Sequence, residues 1–214
     1  MSKTSSKKRK LSLPLVLAGG VSSLVLALGM TPTFSAFSAT IQNTLDTAGS
    51  GTLVMQETDS TGLIICNSDV SGVSTNSATC ATINKYGGNL AMIPGQTVTT
   101  TINIKNTGTV AASAFSLTPS ACVQSANGSS NGTALDLCSK INVVITSGAK
   151  LVYSGTALAF GTGGAIDVNS KLTVASIAAG SSTPFVFAVT LDATAANTYQ
   201  GLKVSQPMTW GFQS

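Results

Sequence analysis

Residues 98–105 read VTTTINIK, and this stretch decides the fold class of the chain. Even-numbered positions form one face, which consists of Val98, Thr100, Ile102 and Ile104. The positions between them are polar: Thr99, Thr101, Asn103 and Lys105. A period of two is typical of a half-buried β-strand. Turn residues stand on both sides, at 94–95 (Pro-Gly) and 106–109 (Asn-Thr-Gly-Thr). The stretch therefore predicts one strand of a sheet with a buried face.

Similar short stretches recur along the chain and are separated by Gly, Ser and Asn. They predict strands at 52–57, 63–66, 112–117, 141–145, 151–153, 172–176, 185–191 and 208–212. No stretch after Met30 keeps a helical period with capping residues, so no long helix is expected there. About nine short strands with frequent turns predict an all-β fold, an antiparallel sandwich of the jelly-roll-like or immunoglobulin-like kind.

The first 36 residues have the composition of an export signal. Basic residues cluster between Lys3 and Lys10, an uncharged apolar run covers 11–30, and small residues follow. This order predicts an N-terminal signal helix that is cleaved after Ala36, or alternatively after Ala39. The rest of the chain, from residue 37 to residue 214, would then form a single domain. A permanent anchor is the other interpretation, because about 20 apolar residues can span a bilayer.

The charge divides the chain at the same point. The full sequence has 11 basic and 7 acidic residues, a net charge of +4. Five of the basic residues lie in the leader, so six lysines and seven acids remain, a net charge of −1. A nucleic-acid partner, which needs a basic surface, is therefore not expected. The Thr-, Ser- and Asn-rich surface suits self-association or contact with cell-wall or matrix components.

All four cysteines follow the leader, which fits an oxidising destination. Four cysteines allow three pairings. We favour Cys66–Cys80 and Cys122–Cys138, because each pair brackets a stretch rich in small polar residues. Closing a loop of about 15 residues contributes on the order of 3 kcal/mol. Metal ligation is the alternative, but the chain has no histidine and no CxxC spacing.

The sequence carries no recognisable catalytic apparatus. Without histidine there is no Ser–His or Cys–His pair and no HExxH zinc site, and no GxSxG motif occurs. Residues 161–164 (Gly-Thr-Gly-Gly) lack the lysine of a phosphate loop and predict a flexible turn. Glu57, Asp59 and Asp69 are candidate calcium ligands, but three scattered acids are more typical of a solvated loop. We therefore expect no enzyme activity, no cofactor and no metal site; a secreted hydrolase is the least favoured hypothesis.

A series of short motifs occurs in one order along most of the chain. They are Phe34-Ser-Ala-Phe-Ser-Ala39, Gly51-Thr-Leu53, Ile93-Pro-Gly-Gln96, Lys105-Asn-Thr-Gly-Thr109, Phe185-Val-Phe-Ala-Val-Thr-Leu191, Tyr199-Gln-Gly201 and Trp210-Gly-Phe-Gln213. Together they resemble the TasA/camelysin-like family of exported bacterial proteins. The resemblance implies a jelly-roll-like sandwich, a leader removed by a dedicated signal peptidase, and assembly into extracellular biofilm-matrix fibres. The four cysteines and the low charge depart from the family pattern, and the lack of histidine argues against its metalloprotease label.

The resemblance also implies how the subunits join. In such proteins an N-terminal strand is donated to the next subunit and completes its sheet. Here the donor would be about 37–46, with Ile41 and Leu45 as anchors. The expected function is a secreted, non-catalytic structural subunit of a fibre or matrix that forms a homopolymer. The alternative is a monomeric, cell-wall-associated adhesin or glycan-binding module.

Overall fold

The computed structural model describes residues 47–214. Their strands are β1 (Met55–Asp59), β2 (Ile65–Asn67), β3 (Thr97–Asn106), β4 (Ala114–Pro119), β5 (Val123–Ala126), β6 (Ile141–Ser147), β7 (Lys150–Thr156), β8 (Ile166–Asp167), β9 (Ser182–Leu191), β10 (Leu202–Ser205) and β11 (Met208–Gln213). Three short helices are α1 (Leu137–Lys140), α2 (Ala157–Thr162) and α3 (Val168–Leu172), and a 3-10 turn covers Asn197–Tyr199. The signal helix, the cleavage positions Ala36 and Ala39, and the anchors Ile41 and Leu45 lie outside the described residues.

Six strands form an antiparallel sheet in the order β2-β1-β3-β9-β6-β7. Its centre is the pair β3 and β9, each ten residues long, in which Ile102 lies opposite Phe185. Both of these side chains are fully buried, and so is Ile104. The period of two that predicted this strand is confirmed, because alternate side chains of β3 enter the core.

The opposite layer contains the other five strands. β4 pairs with β11 on one side and β8 on the other, while β5 pairs with β10. The backbone N–H of Ser120 donates to the carbonyl of Pro207 at 2.8 Å, which links the two ladders across a short break. The Gln206 side chain fills this break and donates to the carbonyls of Ser120 and Ala157, at 2.8 and 3.0 Å. The layer is therefore held together by side-chain as well as backbone bonds.

Aromatic side chains join the two layers. Phe115 of β4 packs edge-on against Phe185 of β9 at 5.8 Å between ring centroids. Trp210 of β11 lies 4.8 Å from the Phe185 ring and 6.4 Å from that of Phe187. Such pairs add to the hydrophobic stabilisation that their burial provides. The all-β antiparallel sandwich predicted from the sequence is confirmed.

The largest local difference from the sequence prediction lies between β8 and β9. A strand was predicted at 172–176, but Leu172 is the last residue of α3 (Val168–Leu172), and residues 173–176 form a turn and a loop. The carboxylate of Asp167 caps this helix by accepting from the N–H of Ser170 at 3.1 Å, and Thr173 ends it with a left-handed φ of 58°. N-terminal capping of this kind competes successfully with strand propensity in a short segment. None of the helices between residues 47 and 214 has the length and apolar character needed to cross a membrane.

The region around Gly161 also differs from the prediction of a flexible turn. Gly161 lies inside α2, which Thr156 caps through its side-chain oxygen. A Cβ at Gly161 would lie 2.7 Å from both the Gln206 amide nitrogen and the Ser120 carbonyl. The glycine is needed for close packing of α2 against the break in the second layer.

The cysteines form two pairs. Cys66 lies 1.92 Å from Cys80, and Cys122 lies 2.03 Å from Cys138, as measured between sulfur atoms. These are the two pairs that the sequence favoured. The first connects β2 to the long β2–β3 loop, and the second connects the β4–β5 junction to α1. Both are compatible with an oxidising, extracellular environment.

Candidate functional site

A large groove runs along the edge of the second layer. It has a volume of about 1000 Å³ and is bordered by every residue from Gly201 to Phe212. Its opposite wall comes from β1 and from residues 76–94 of the β2–β3 loop, and its floor includes Leu137 and Val189. We call this cavity the β11 groove.

The free edge of β11 borders the groove. Within residues 47–214, β11 pairs only with β4 and β10 pairs only with β5, so one edge of each strand has no partner there. Consecutive residues of β11, from Met208 to Phe212, all line the cavity, which places the edge of the strand at its wall. An unpaired edge presents backbone N–H and C=O groups that can form a ladder with an extended chain. The β11 groove therefore has the backbone chemistry of a strand acceptor.

The groove is lined by polar and apolar side chains, and part of its apolar lining lies on β11 and near β1. Met208, Trp210 and Phe212 share one face of β11, and all three are partly buried against the core. Leu53 and Met55 lie on the opposite wall, again only partly buried. Completing the burial of such side chains stabilises a complex by up to about 1.5 to 3 kcal/mol for each full side chain. The groove is thus suited to apolar residues at alternate positions of an inserted strand.

Trp210 brings an unpaired donor to this wall. It is the single tryptophan of the chain. Its indole Nε1 is buried and has no hydrogen-bond partner among the described residues. The ring packs against Phe115 at 5.5 Å and against Phe185 at 4.8 Å, so the surroundings are aromatic and offer no acceptor.

A buried ion pair fixes the loop wall of the groove. Lys85 of the β2–β3 loop places its Nζ 2.6 Å from Oε1 of Glu57, and each side chain is only about a tenth exposed, at 9% and 10%. Glu57 is the central residue of β1 and lines the groove with Lys85. Removing one partner of a buried pair leaves an uncompensated charge, which is strongly destabilising. The pair therefore holds the loop against β1.

Tyr86 ties the same loop to the second layer. Its hydroxyl donates to Oε1 of Gln206, whose amide nitrogen donates to the carbonyls of Ser120, between β4 and β5, and Ala157, at the start of α2. Burial raises the pKa of Tyr86 well above its ordinary value, and the nearby Tyr153 adds to this effect. The hydroxyl is therefore a stable donor, and the loop is connected to both walls of the groove.

Two of the three candidate calcium ligands, Glu57 and Asp59, have other partners in the structure. Glu57 pairs with Lys85, while Asp59 accepts bonds from the Thr61 hydroxyl and the Ile64 N–H at 2.5 and 3.1 Å. The bond from Thr61, followed by that from Ile64, lowers the pKa of Asp59. Across residues 47–214, no three His, Cys, Asp or Glu side chains come together as a metal site.

Sequence reasoning identified parts of the groove but not the groove itself. It predicted the strand at 208–212, in which Met208, Trp210 and Phe212 alternate with other residues, and it favoured the Cys66–Cys80 pair that lines the opposite wall. It missed the Glu57–Lys85 pair, because Lys85 lies 28 positions from Glu57 in a loop with no periodic signal. The chain matches no known protein-family model and no curated protein.

Proposed function

We propose that this protein is a secreted, non-catalytic structural subunit that assembles outside the cell into a fibre or matrix. Assembly occurs when the N-terminal segment of one copy, residues 37–46, enters the β11 groove of the next copy. The observation that carries this proposal is a partly apolar groove along a strand edge that has no partner among residues 47–214.

The sequence of the donor segment fits a strand with one buried face. Residues 37–46 read FSATIQNTLD, so Phe, Ala, Ile, Asn and Leu alternate with Ser, Thr, Gln, Thr and Asp. The candidate anchors Ile41 and Leu45 fall on the same face. That face would meet Met208 and Phe212, while the polar face stays in water. Main-chain bonds to β11 supply affinity, and alternate side chains supply specificity.

The lengths of donor and acceptor also agree. The segment 37–46 has ten residues, and the acceptor edge from Leu202 to Gln213 has twelve. At about 3.3 Å per residue, the extended donor spans roughly 33 Å. A donor of this length pairs along all of β11 and reaches past the break into β10.

Each copy offers one groove and one donor segment, so the contact joins two different surfaces. Such head-to-tail contacts give rings when the rotation closes and open filaments when it does not. Removal of the leader would free the donor at its N-terminal end. The two cysteine pairs suit an oxidising compartment, which supports assembly outside the cell.

The test compares chains that begin at residue 37. The unaltered chain is expected to polymerise, as seen by light scattering and electron microscopy. Ile41→Asp with Leu45→Asp should remain monomeric at the same concentration, because charges on the inward face cannot enter an apolar groove. The matched control, Thr40→Asp with Thr44→Asp, changes the outward face and should still polymerise.

Two results would contradict strand donation. One is an unaltered chain that stays monomeric at high concentration under oxidising conditions. The other is an Ile41→Asp, Leu45→Asp chain that polymerises as fast as the control. Circular dichroism of each variant establishes that the sandwich itself is intact.

A monomeric wall-associated binding module is the second candidate, and a different cavity favours it. The cavity lies between β4, β8 and α3 and measures about 520 Å³. Asn169, which lines it, donates to the carbonyls of Ser113 and Ala175 at 2.8 and 3.3 Å. Its buried amide oxygen has no partner within the described part of the chain, and the cavity wall would have to shift before this oxygen could accept from a sugar hydroxyl. Cell-wall binding that is lost in Asn169→Ala, without any polymer, would support this candidate.

A further inference from the structure

The six-stranded sheet has a second face, which points away from the core. On β3 the fully buried Ile102 points to the core, so the odd-numbered positions before it point outward. The hydroxyl oxygens of Thr97 and of Thr190 on β9 lie 2.7 Å apart, so the paired residues lie on this same side. We call the outer face the three rows that begin at Thr97, Thr99 and Thr101 and continue through their partners on β9, β6 and β7.

The outer face has an apolar centre and a polar rim. Its middle row places Ala188 of β9 directly beside Val144 of β6, and Val186 lies two positions from Ala188. The other positions are Thr, Ser and Asn, except for Leu151 of β7, which is 55% exposed. None of the twelve side chains is buried, so the part of the chain that the structure describes leaves the face open. A small apolar centre within a polar rim is the anatomy of a protein–protein interface.

The outer face has no charged side chain in its three rows. Lys105 and Lys150 are the charged residues of these four strands, and both lie beyond the rows at strand ends. An anionic polymer needs cations to meet it, so the face is unsuited to such a partner. Two copies of the face can approach without repulsion, and a threonine hydroxyl both donates and accepts hydrogen bonds. The face is therefore complementary to itself.

The shape of a sheet also favours a second sheet as the partner. Neighbouring strands are rotated by roughly 20 to 25°, so a flat surface touches only part of a four-stranded face. Two sheets with the same twist pack face to face, with their strand directions within about 30° of each other. A second copy of this chain supplies a sheet with the same twist and the same side chains.

The size of the face indicates how strong such a contact is. β3 and β9 have ten residues each, and β6 and β7 have seven each. At about 3.3 Å per residue and about 4.8 Å between strands, the four strands present roughly 540 Å². Two copies would bury on the order of 1,100 Å² in total, below the roughly 1,600 Å² of a standard interface and within the range of weak, transient contacts. The area suits a reversible contact rather than a permanent dimer.

We propose that the outer faces of two copies pack against each other in a weak, reversible contact, with Val144 and Ala188 at its centre. This contact is separate from strand donation. None of the twelve side chains of the outer face lines the β11 groove, so one copy can use both surfaces at once.

The test uses a chain that begins at residue 37 and carries Ile41→Asp and Leu45→Asp, so that strand donation does not contribute. Its ¹H–¹⁵N spectra are compared between about 0.05 and 1 mM, a range in which a weak contact becomes measurably populated. Backbone amides of the outer face should shift with concentration, and the average mass in sedimentation should rise. Val144→Lys should weaken this association at least about tenfold, because two like charges would meet inside the contact.

Matched variants separate the outer face from the rest of the surface. Val123 of β5 lies in the second layer and is 57% exposed, so Val123→Lys makes the same change on another strand and should leave the association unaltered. Val144→Glu should weaken the association as Val144→Lys does. An equimolar mixture of the Lys and Glu variants should associate again, because opposite charges then meet across the contact. Circular dichroism of each variant establishes that the sandwich is intact.

Three results would overturn this inference. The first is a spectrum that does not change with concentration up to about 1 mM. The second is a set of shifts that lies outside the outer face, and the third is equal association of the Val144→Lys and Val123→Lys chains. If Val144→Lys does not fold, the positions of the shifts in the unsubstituted outer face still decide. Strand donation is tested by polymerisation instead, so either proposal can fail while the other stands.

Discussion

Replacing Lys85 by Met should destabilise the protein markedly, because it leaves the Glu57 carboxylate without its cation. The Lys85 Nζ lies 2.6 Å from Oε1 of Glu57, and it is the single salt bridge found across residues 47–214. Losing one partner of a buried pair costs about 3 to 5 kcal/mol. The lower figure applies here, because the groove beside the pair can admit water. For a domain of this size, about 3 kcal/mol lowers Tm by roughly 6 to 12 °C.

The assay is urea unfolding at neutral pH followed by the fluorescence of Trp210. Lys150→Met is the matched control, because Lys150 is exposed and outside the pair; it should change stability by less than about 0.5 kcal/mol. Glu57→Leu combined with Lys85→Met should recover most of the loss, since an apolar pair removes the buried charge. The reasoning is refuted if Lys85→Met matches the control, or if the double variant is no more stable than Lys85→Met.

Three further predictions concern other parts of the structure. Converting Cys66 and Cys80 to Ser should cost about 3 kcal/mol of unfolding free energy, measured with urea, and should slow polymerisation, because the pair lines the groove. The Tyr199 hydroxyl donates to the Asp136 carboxylate at 2.7 Å, and this bond lowers the pKa of Asp136. The stability that the bond supplies is therefore fully present above the ordinary pKa of 3.8 and is lost as the pH falls through the lowered pKa. Tyr199→Phe should therefore reduce the acid-side loss of stability in unfolding curves between about pH 5 and pH 2. Gly161→Ala should lower stability by about 1 to 3 kcal/mol in thermal unfolding, because its Cβ would clash with backbone that cannot move freely.

The sequence was most informative where packing follows a short repeat. The alternation around Ile102 and Ile104 predicts a strand because each second side chain must be buried, and the structure buries both. The same reasoning failed at 172–176, because the Asp167 cap starts a helix that ends at Leu172 and the residues after it form a turn and a loop. The two-residue β8 is too short to carry any period.

The β11 groove could not be predicted in the same way. Its walls bring together β1, the β2–β3 loop and β11, and the two strands lie about 150 residues apart in the chain. The bond between Tyr86 and Gln206, across 120 positions, is typical of this long-range construction. A single sequence contains local patterns but no signal for such contacts. The apolar face of β11 was nevertheless predictable, because it depends only on residues two positions apart.

Hydrogen exchange along β11 tests strand donation most directly. About half of the backbone N–H groups of Met208–Gln213 face away from β4 and should exchange readily with solvent in the monomer. When chains that begin at residue 37 polymerise, a donated strand should pair with this edge and slow the exchange of those groups. Polymers that form while exchange along Met208–Gln213 remains as fast as in the monomer would contradict the account.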